Sequence, residues 1–295
     1  MFDSSRGFLR HSSMRRIFYY HYTKSHSVTT LLMIHGFAEA SFIWSKTAQE
    51  IASKYNCDVI AIDLSGHGRS DWREDGNYNT ANYADDVEFV INELNIKSLI
   101  LIGHSMGGRI ANELLKRKVS GVCGMVMVDF CPKMSGGTPS NYVARNFEKS
   151  VIRSWSIDEY AGFISNTRPL MPGKDIKWLA GELLVKINGS YFFHADPRIL
   201  SHSENHSTNE ISPAKACSIP ISIIRGCFSS FVSEHQAQDY LRDFKLSKYY
   251  NVAKSGHGLV IENNSGFNMA LYDFMQMIPG IKKLVCSCLH RHTGR

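Results

Sequence analysis

A chain of 295 residues with 43% hydrophobic and 20% charged residues has the composition of a globular protein, large enough for one big domain carrying an insertion or for two small ones. No uninterrupted apolar run approaches the ~18 residues that cross a bilayer, so neither a transmembrane helix nor stable membrane insertion is expected. The net charge of +6 is concentrated at the ends, in Arg6, Arg10, Arg15 and Arg16 and in Lys282, Lys283, Arg291 and Arg295. The body is near neutral, which argues against a nucleic-acid surface and marks residues 1–15 and 281–295 as basic, solvated segments.

The cysteines, at 57, 123, 131, 217, 227, 286 and 288, are scattered and odd in number, with no Cys-x-x-Cys spacing. That pattern fits a reducing compartment, the cytoplasm, without a disulfide framework. The N-terminus also lacks the apolar core of a secretory signal.

In chain order, Arg16–Thr23 has the aromatic content of a strand. Thr29–Ile34 is a continuous apolar run, as in a strand covered on both faces, and it leads into His35-Gly36-Phe37. Trp44–Lys54 has helical spacing, and Cys57–Ile62 is the next buried strand. Asp63–Asp71, rich in turn formers, is a loop. Asn79 or Thr80 is placed to cap a helix whose Val87, Val90, Ile91 and Leu94 share a face.

Ser98–Ile102 reads as another buried strand. It runs into Gly103-His104-Ser105-Met106-Gly107-Gly108, and Met106, Ile110 and Leu114 then recur at helical spacing. A glycine on each side of a serine, between a strand and a helix, is the pattern of a nucleophile elbow. The turn is too sharp for side chains at the flanking positions, and it leaves the hydroxyl exposed at a helix N-terminus. Val122–Val128 is a further strand, ending at Asp129.

From 133 to 212 the strand rhythm stops. Helical segments are expected near Asn141–Val151, Ile157–Ser165 and Asp175–Asn188, forming a cap over the core 16–132 and 213–280. Tyr142, Phe147, Trp155, Tyr160, Trp178 and Tyr191 either line an apolar pocket under this cap or make its own core. The sheet resumes at Ile221–Arg225, followed by a helix over Glu234–Phe244 and a strand over Lys248–Val252. Gly256-His257 and a closing helix over Phe267–Met277 complete the chain. Alternating strands and helices predict a mostly parallel sheet with helices on both faces, its ligand site beyond the strands' carboxyl ends.

With its His35-Gly36-Phe37, Gly66-His67-Gly68-Arg69-Ser70, Gly103–Gly108 and Gly256-His257 motifs in this order, the chain resembles an α/β-hydrolase-fold serine hydrolase of the esterase, lipase and lactonase type from about Thr29 to Met277. The resemblance implies Ser105 as nucleophile, His257 as base, and the backbone amides of Phe37 and Met106 as oxyanion donors. His35, His67, Arg69 and His104 are expected to be structural. The histidine pair His202 and His206 is not read as a metal site, and no metal or cofactor is implied.

One member of the set departs from the family pattern. Where relatives carry an aspartate after the strand ending at Arg225, this chain reads Gly-Cys-Phe-Ser-Ser-Phe-Val-Ser, with Ser229 or Ser230 at the acid position. Asp129 is an alternative acid, since some enzymes of the fold place theirs after the preceding strand. A Ser–His dyad without a charged partner and an inactive remnant are the other two options.

Two functions follow. One is a cofactor-free hydrolase of an ester, thioester, lactone or related small acyl compound, acting through an acyl-enzyme. The other is a small-molecule binding or receptor protein that has lost turnover with its acid. A serine at the elbow disfavours dehalogenase and epoxide-hydrolase chemistry, which use an aspartate there, while carbon–carbon bond hydrolysis stays open.

Overall fold

The computed structural model describes residues 3–11, 15–23, 27–132, 139–202 and 218–284. Ten strands and nine helices are described within them. They run β1 (Asp3–Arg10), β2 (Arg16–Thr23), β3 (Thr30–Ile34), α1 (Ser45–Lys54), β4 (Asp58–Ile62), α2 (Thr80–Glu93), β5 (Leu99–His104), α3 (Met106–Lys116) and β6 (Val122–Val128). There follow α4 (Pro139–Val151), α5 (Ile157–Thr167), α6 (Gly173–Leu183), β7 (Leu184–Ile187), β8 (Ser190–Phe193), β9 (Ile221–Gly226), α7 (Glu234–Leu241), β10 (Ser247–Val252), α8 (Leu259–Glu262) and α9 (Asn264–Met275).

Eight strands form one sheet in the order β1-β2-β4-β3-β5-β6-β9-β10. Pairing is parallel from β4 to β10, and antiparallel where β2 meets β1 and β4. The continuous apolar runs have a simple cause: both faces are covered. In β3, Leu31 and Met33 join the core that packs α1 and α9, while Leu32 and Ile34 join the core that packs α2, α3 and α7. In β5 the same alternation sends Ile100 and Ile102 one way and Leu99 and Leu101 the other. At the start of α2, Asn79 is the cap, its side chain accepting from Asn82 N–H at 2.8 Å.

The described residues of both basic ends are mostly exposed, and they pair with the rest of the fold. Residues 3–10 are an edge strand paired along its whole length with β2, and Phe8 packs edge-on against Phe18 at 5.2 Å. Arg15 is bonded to Asp86, and Arg16 makes a two-pronged contact with Asp71 at 2.9 and 3.0 Å. The arginines of β1 lie on an exposed edge, where charge discourages further strand pairing. At the other end, Lys282 and Leu284 exchange main-chain bonds with Asn56 and Lys54, at 3.2 and 2.7 Å. Residues 285–295, with Cys286 and Cys288, and also Cys217, His206 and the side chain of His202, lie outside the described residues. Cys57, Cys123, Cys131 and Cys227 are not joined by disulfides among the described residues. Among the described residues no helix is long and apolar enough to cross a membrane.

The inserted segment is helical except for one hairpin. A helix continuing to Asn188 was the expectation; α6 instead stops at Leu183 and the chain turns back through β7 and β8. Asn188 and Gly189 both have positive φ, 48° and 89°, as a two-residue hairpin turn requires, and β-branched and aromatic residues flank them. The cap aromatics divide. Trp155 and Tyr160 are buried and pack with Phe163 and Phe193 as the cap's own core, at centroid distances of 5.0–5.9 Å. Phe147 packs on Phe193 as well, at 5.8 Å, and also reaches Phe37, at 5.0 Å.

Candidate active site

The three parallel strands β5, β6 and β9 end side by side, and the polypeptide leaves two of them through strained residues. Ser105 and Asp129 follow His104 and Val128, which are paired in register, and both have positive φ, 52° and 48°. Their amides close onto the neighbouring strand: Ser105 N–H donates to Val128 O at 2.9 Å, and Asp129 N–H to Ile224 O at 2.8 Å. A non-glycine residue at positive φ costs of the order of 1 kcal/mol and persists only where its surroundings dictate it. Here the strain aims two polar side chains out of the sheet edge. The elbow glycines are steric necessities, since a Cβ at Gly103 would stand 2.1 Å from Gly107 O, and one at Gly107 would stand 2.3 Å from Ile34 O.

His257 lies on the turn between β10 and α8. Its Nε2 is 2.9 Å from Ser105 Oγ and its Nδ1 is 2.6 Å from Asp129 Oδ2. A carboxylate only accepts, so Nδ1 carries the proton and Nε2 is left to accept from the Ser105 hydroxyl. Asp129 is buried, whereas the His257 side chain stays a quarter exposed. The carboxylate is therefore dry and the ring reachable.

Ser229 does not meet the imidazole. Its hydroxyl donates to Asp129 Oδ2 at 2.5 Å, while Gly226 N–H donates to Oδ1 at 3.2 Å. Ser230 is exposed at the next position. Phe231 lies flat on the imidazole, with centroids 3.8 Å apart and planes 16° apart.

The backbone N–H groups of Phe37 and Met106 donate no hydrogen bond among the described residues. Met106 opens α3, where the first amides have no intrahelical acceptor and the helix dipole favours negative charge. Gly36, before Phe37, is pressed against the elbow: a Cβ there would lie 3.3 Å from Ser105 Cβ and 2.8 Å from His104 Nδ1.

His35 and His67, on the loops beside the site, are buried. His35 Nδ1 bonds to Gly36 O at 2.7 Å, and its Nε2 accepts from Leu64 N–H at 2.9 Å. Burial lowers its pKa to about 4 and that of His67 to about 3, so both rings are neutral. Arg69 stacks on Phe18 and Tyr20, and its main chain binds Asp63.

His104 does more than fill space under the serine. Nδ1 faces Glu39 Oε2 at 2.9 Å and Nε2 faces the main-chain oxygen of His257 at 2.7 Å. Burial works against a charged ring, but the Glu39 carboxylate outweighs it and raises the pKa of His104 above its usual value. Burial likewise opposes ionisation of Glu39, yet His104 and Arg168 hold its carboxyl well below the usual range. Glu39, Arg168 and Phe231 are absent from the sequence-based site. A lone acid in the otherwise apolar run after Gly36-Phe37 is the one signal that marks Glu39. Among the described residues no group of three or more His, Cys, Asp or Glu is placed to hold a metal.

The family model described as the alpha/beta hydrolase fold matches residues 29–264, most of the chain. The chain belongs to the alpha/beta hydrolase fold family. An esterase of Mycobacterium tuberculosis is 24% identical to this α/β hydrolase over 239 residues, 79% of this chain and 78% of that protein. The 2-(acetamidomethylene)succinate hydrolase of Mesorhizobium japonicum is 26% identical over 204 residues, 69% and 72% of the respective chains. Among solved structures, an alpha/beta hydrolase from Novosphingobium aromaticivorans superposes with a TM-score of 0.80 at 17% identity, covering 94% of this chain and 100% of that one. An E-2-(acetamidomethylene)succinate hydrolase gives 0.77 at 20% identity with the same coverage. These likenesses establish the fold: a mostly parallel sheet, helices on both faces, and an inserted cap.

Proposed function

We propose that this α/β hydrolase is a cofactor-free serine hydrolase that cleaves a small ester, thioester, lactone or related acyl compound through an acyl-enzyme. The observation that carries the proposal is the hydrogen-bonded chain Ser105 Oγ–His257–Asp129, at 2.9 and 2.6 Å. The hydrolase names of the two relatives with broad coverage, one of them an esterase, support it. The scattered, odd-numbered cysteines, with no Cys-x-x-Cys spacing, support the cytoplasm, or another reducing compartment, as its location.

Ser105 Oγ attacks the acyl carbon as His257 Nε2 takes the hydroxyl proton, and the imidazolium so formed is held by Asp129 through Nδ1. The oxyanion is received by the amides of Phe37 and Met106, which require no rearrangement because no other described residue accepts from them. The imidazolium returns its proton to the leaving alcohol or thiol. Water, activated by the same nitrogen, then hydrolyses the Ser105 ester and regenerates the hydroxyl.

A binding protein that has lost turnover is supported only by the absence of an acid after β9, and the Asp129 carboxylate beside Nδ1 supplies the charge that this absence would remove. Labelling with a fluorophosphonate probe tests the proposal. Stoichiometric modification that disappears in Ser105→Ala is expected, together with turnover of a p-nitrophenyl ester that disappears in the same variant. An unlabelled wild-type chain would establish the binding protein instead.

A further inference from the structure

A charged cluster, buried at Glu39 and His104, joins the cap to the loops that carry Phe37, Ser105 and His257. Arg168, just past the end of α5, places Nη1 3.3 Å from Glu39 Oε1; Glu39 Oε2 is 2.9 Å from His104 Nδ1; and His104 Nε2 is 2.7 Å from the carbonyl oxygen of His257. Glu39 and His104 are 8% and 3% exposed, so the ion pair is nearly dry. Both ring nitrogens of His104 face oxygens that only accept, a carboxylate and a carbonyl. The ring must donate from both and is an imidazolium.

The placement of this pair is specific. Glu39 stands two residues past Phe37, His104 immediately precedes Ser105, and the acceptor is the main chain of His257 itself. A Cβ on Gly36 would lie 2.8 Å from His104 Nδ1 and 3.0 Å from Glu39 Oε2, so the pair also presses on the turn that presents the Phe37 amide. The cap touches the base loop by a second route, since Leu170 Cδ1 would stand 3.2 Å from a Cβ on Gly256, next to His257. A dry ion pair is a poor way to gain stability, because desolvation offsets most of the attraction and an apolar pair of similar volume does as well. Its value here lies in direction: it clamps the main chain of the base.

We propose that Arg168, Glu39 and His104 form a positioning relay that holds His257 in register with Ser105 and makes that register depend on the seating of the cap, a role that presupposes the serine hydrolase proposed above. None of the three touches the reacting atoms. Withdrawal of Arg168 with the cap leaves Glu39 with one cation fewer and loosens the clamp, so the site is fully assembled only when the cap is down.

The test measures kcat and KM for p-nitrophenyl acetate per fluorophosphonate-titrated Ser105 in the full chain, together with the melting temperature. Glu39→Gln removes the charge and keeps the shape. It is expected to lower kcat about 10–100-fold with a smaller change in KM, as a displacement of about 1 Å in a reacting group does. Arg168→Met, at a residue about a third exposed and therefore tolerant, is expected to lower kcat several-fold, and Arg168→Lys to restore it. The Glu39→Gln and Arg168→Met losses are expected to be less than additive, because the two residues act through one contact.

A merely structural pair changes the melting temperature and the fraction of titratable sites, but not kcat per titrated site. Wild-type kcat in Glu39→Gln would overturn the relay. If that variant does not fold, wild-type kcat in Arg168→Met overturns it alone. Wild-type protein that fails to label at Ser105 removes both the hydrolase and the relay, whereas labelled wild type with unaffected variants removes the relay only.

Discussion

Ser229 and His257 bind the same oxygen of Asp129, at 2.5 and 2.6 Å. The hydroxyl after β9, where the family pattern has an acid, donates to a carboxylate reaching across from β6. Ser229 thus holds Asp129 while Asp129 holds the imidazole. Asp129→Asn is expected to lower turnover about 10²–10⁴-fold without unfolding the chain, since the amide offers the wrong partner to the ring N–H. Ser229→Asp is expected to rescue that variant. In the parent it is expected to bring no gain, because a second carboxylate set against Asp129 does not ionise alongside it. Rates of p-nitrophenyl ester hydrolysis for the three variants check this; unchanged turnover in Asp129→Asn would remove the acid from the mechanism.

Phe231 lies flat on the His257 ring and offers a π face to the imidazolium that the proposed mechanism forms. The expected effect of Phe231→Leu is a loss of kcat of about 2–30-fold, the rate equivalent of a cation–π contact of 0.5–2 kcal/mol. Phe231→Tyr keeps the face and the rate. Equal kcat in the leucine variant would reduce the ring to packing.

Acid sensitivity follows from two buried histidines. His35 and His67 have folded-state pKa values of about 4 and about 3, below the unfolded value of 6.5. Above pH 6.5 both states leave them neutral and their contribution is complete. As pH falls from 6.5 towards 4 the unfolded chain takes up protons that the folded one refuses. Stability is then expected to drop by about 1.4 kcal/mol per pH unit for each ring. Glu39, held low by its partners, adds to this loss below its unfolded pKa of 4.5. Urea midpoints at pH 7, 6, 5 and 4 measure the slope; a flat profile between pH 6 and 4 would contradict it.

The stretch Ile281–Leu284 is part of the fold. Lys282 N–H donates to Asn56 Oδ1 at 2.6 Å, Asn56 N–H to Lys282 O at 3.2 Å, and Leu284 N–H to Lys54 O at 2.7 Å. A chain ending at Gly280 is therefore expected to be about 1.5–4.5 kcal/mol less stable than one ending at Leu284, from three net hydrogen bonds. Comparing their denaturation midpoints checks this, with equal midpoints as the contrary result.

The turn around Ser105 was legible in the sequence because its requirements are local. Sterics between residues 103 and 107 demand glycine, and the apolar periods before and after it belong to a strand and a helix. The doubly covered sheet was legible for the same reason, since burial on both faces writes an uninterrupted apolar run into each strand. The Asn188-Gly189 hairpin also had a local signal, but the helical spacing of 175–188 masked it. Strand β1 had almost none, because an exposed edge strand takes its conformation from the partner it pairs with.

What met His257 was decided elsewhere. Asp129 and the imidazole are 128 residues apart, and they touch because the sheet order places the ends of β6, β9 and β10 next to one another. The same holds for Arg168 and Glu39, 129 residues apart on the cap and the core. Local pattern records which face of an element is dry; it carries no information about which carboxylate a long-range crossing delivers to a given nitrogen, because that depends on strand order, register and the direction a strained residue points its side chain.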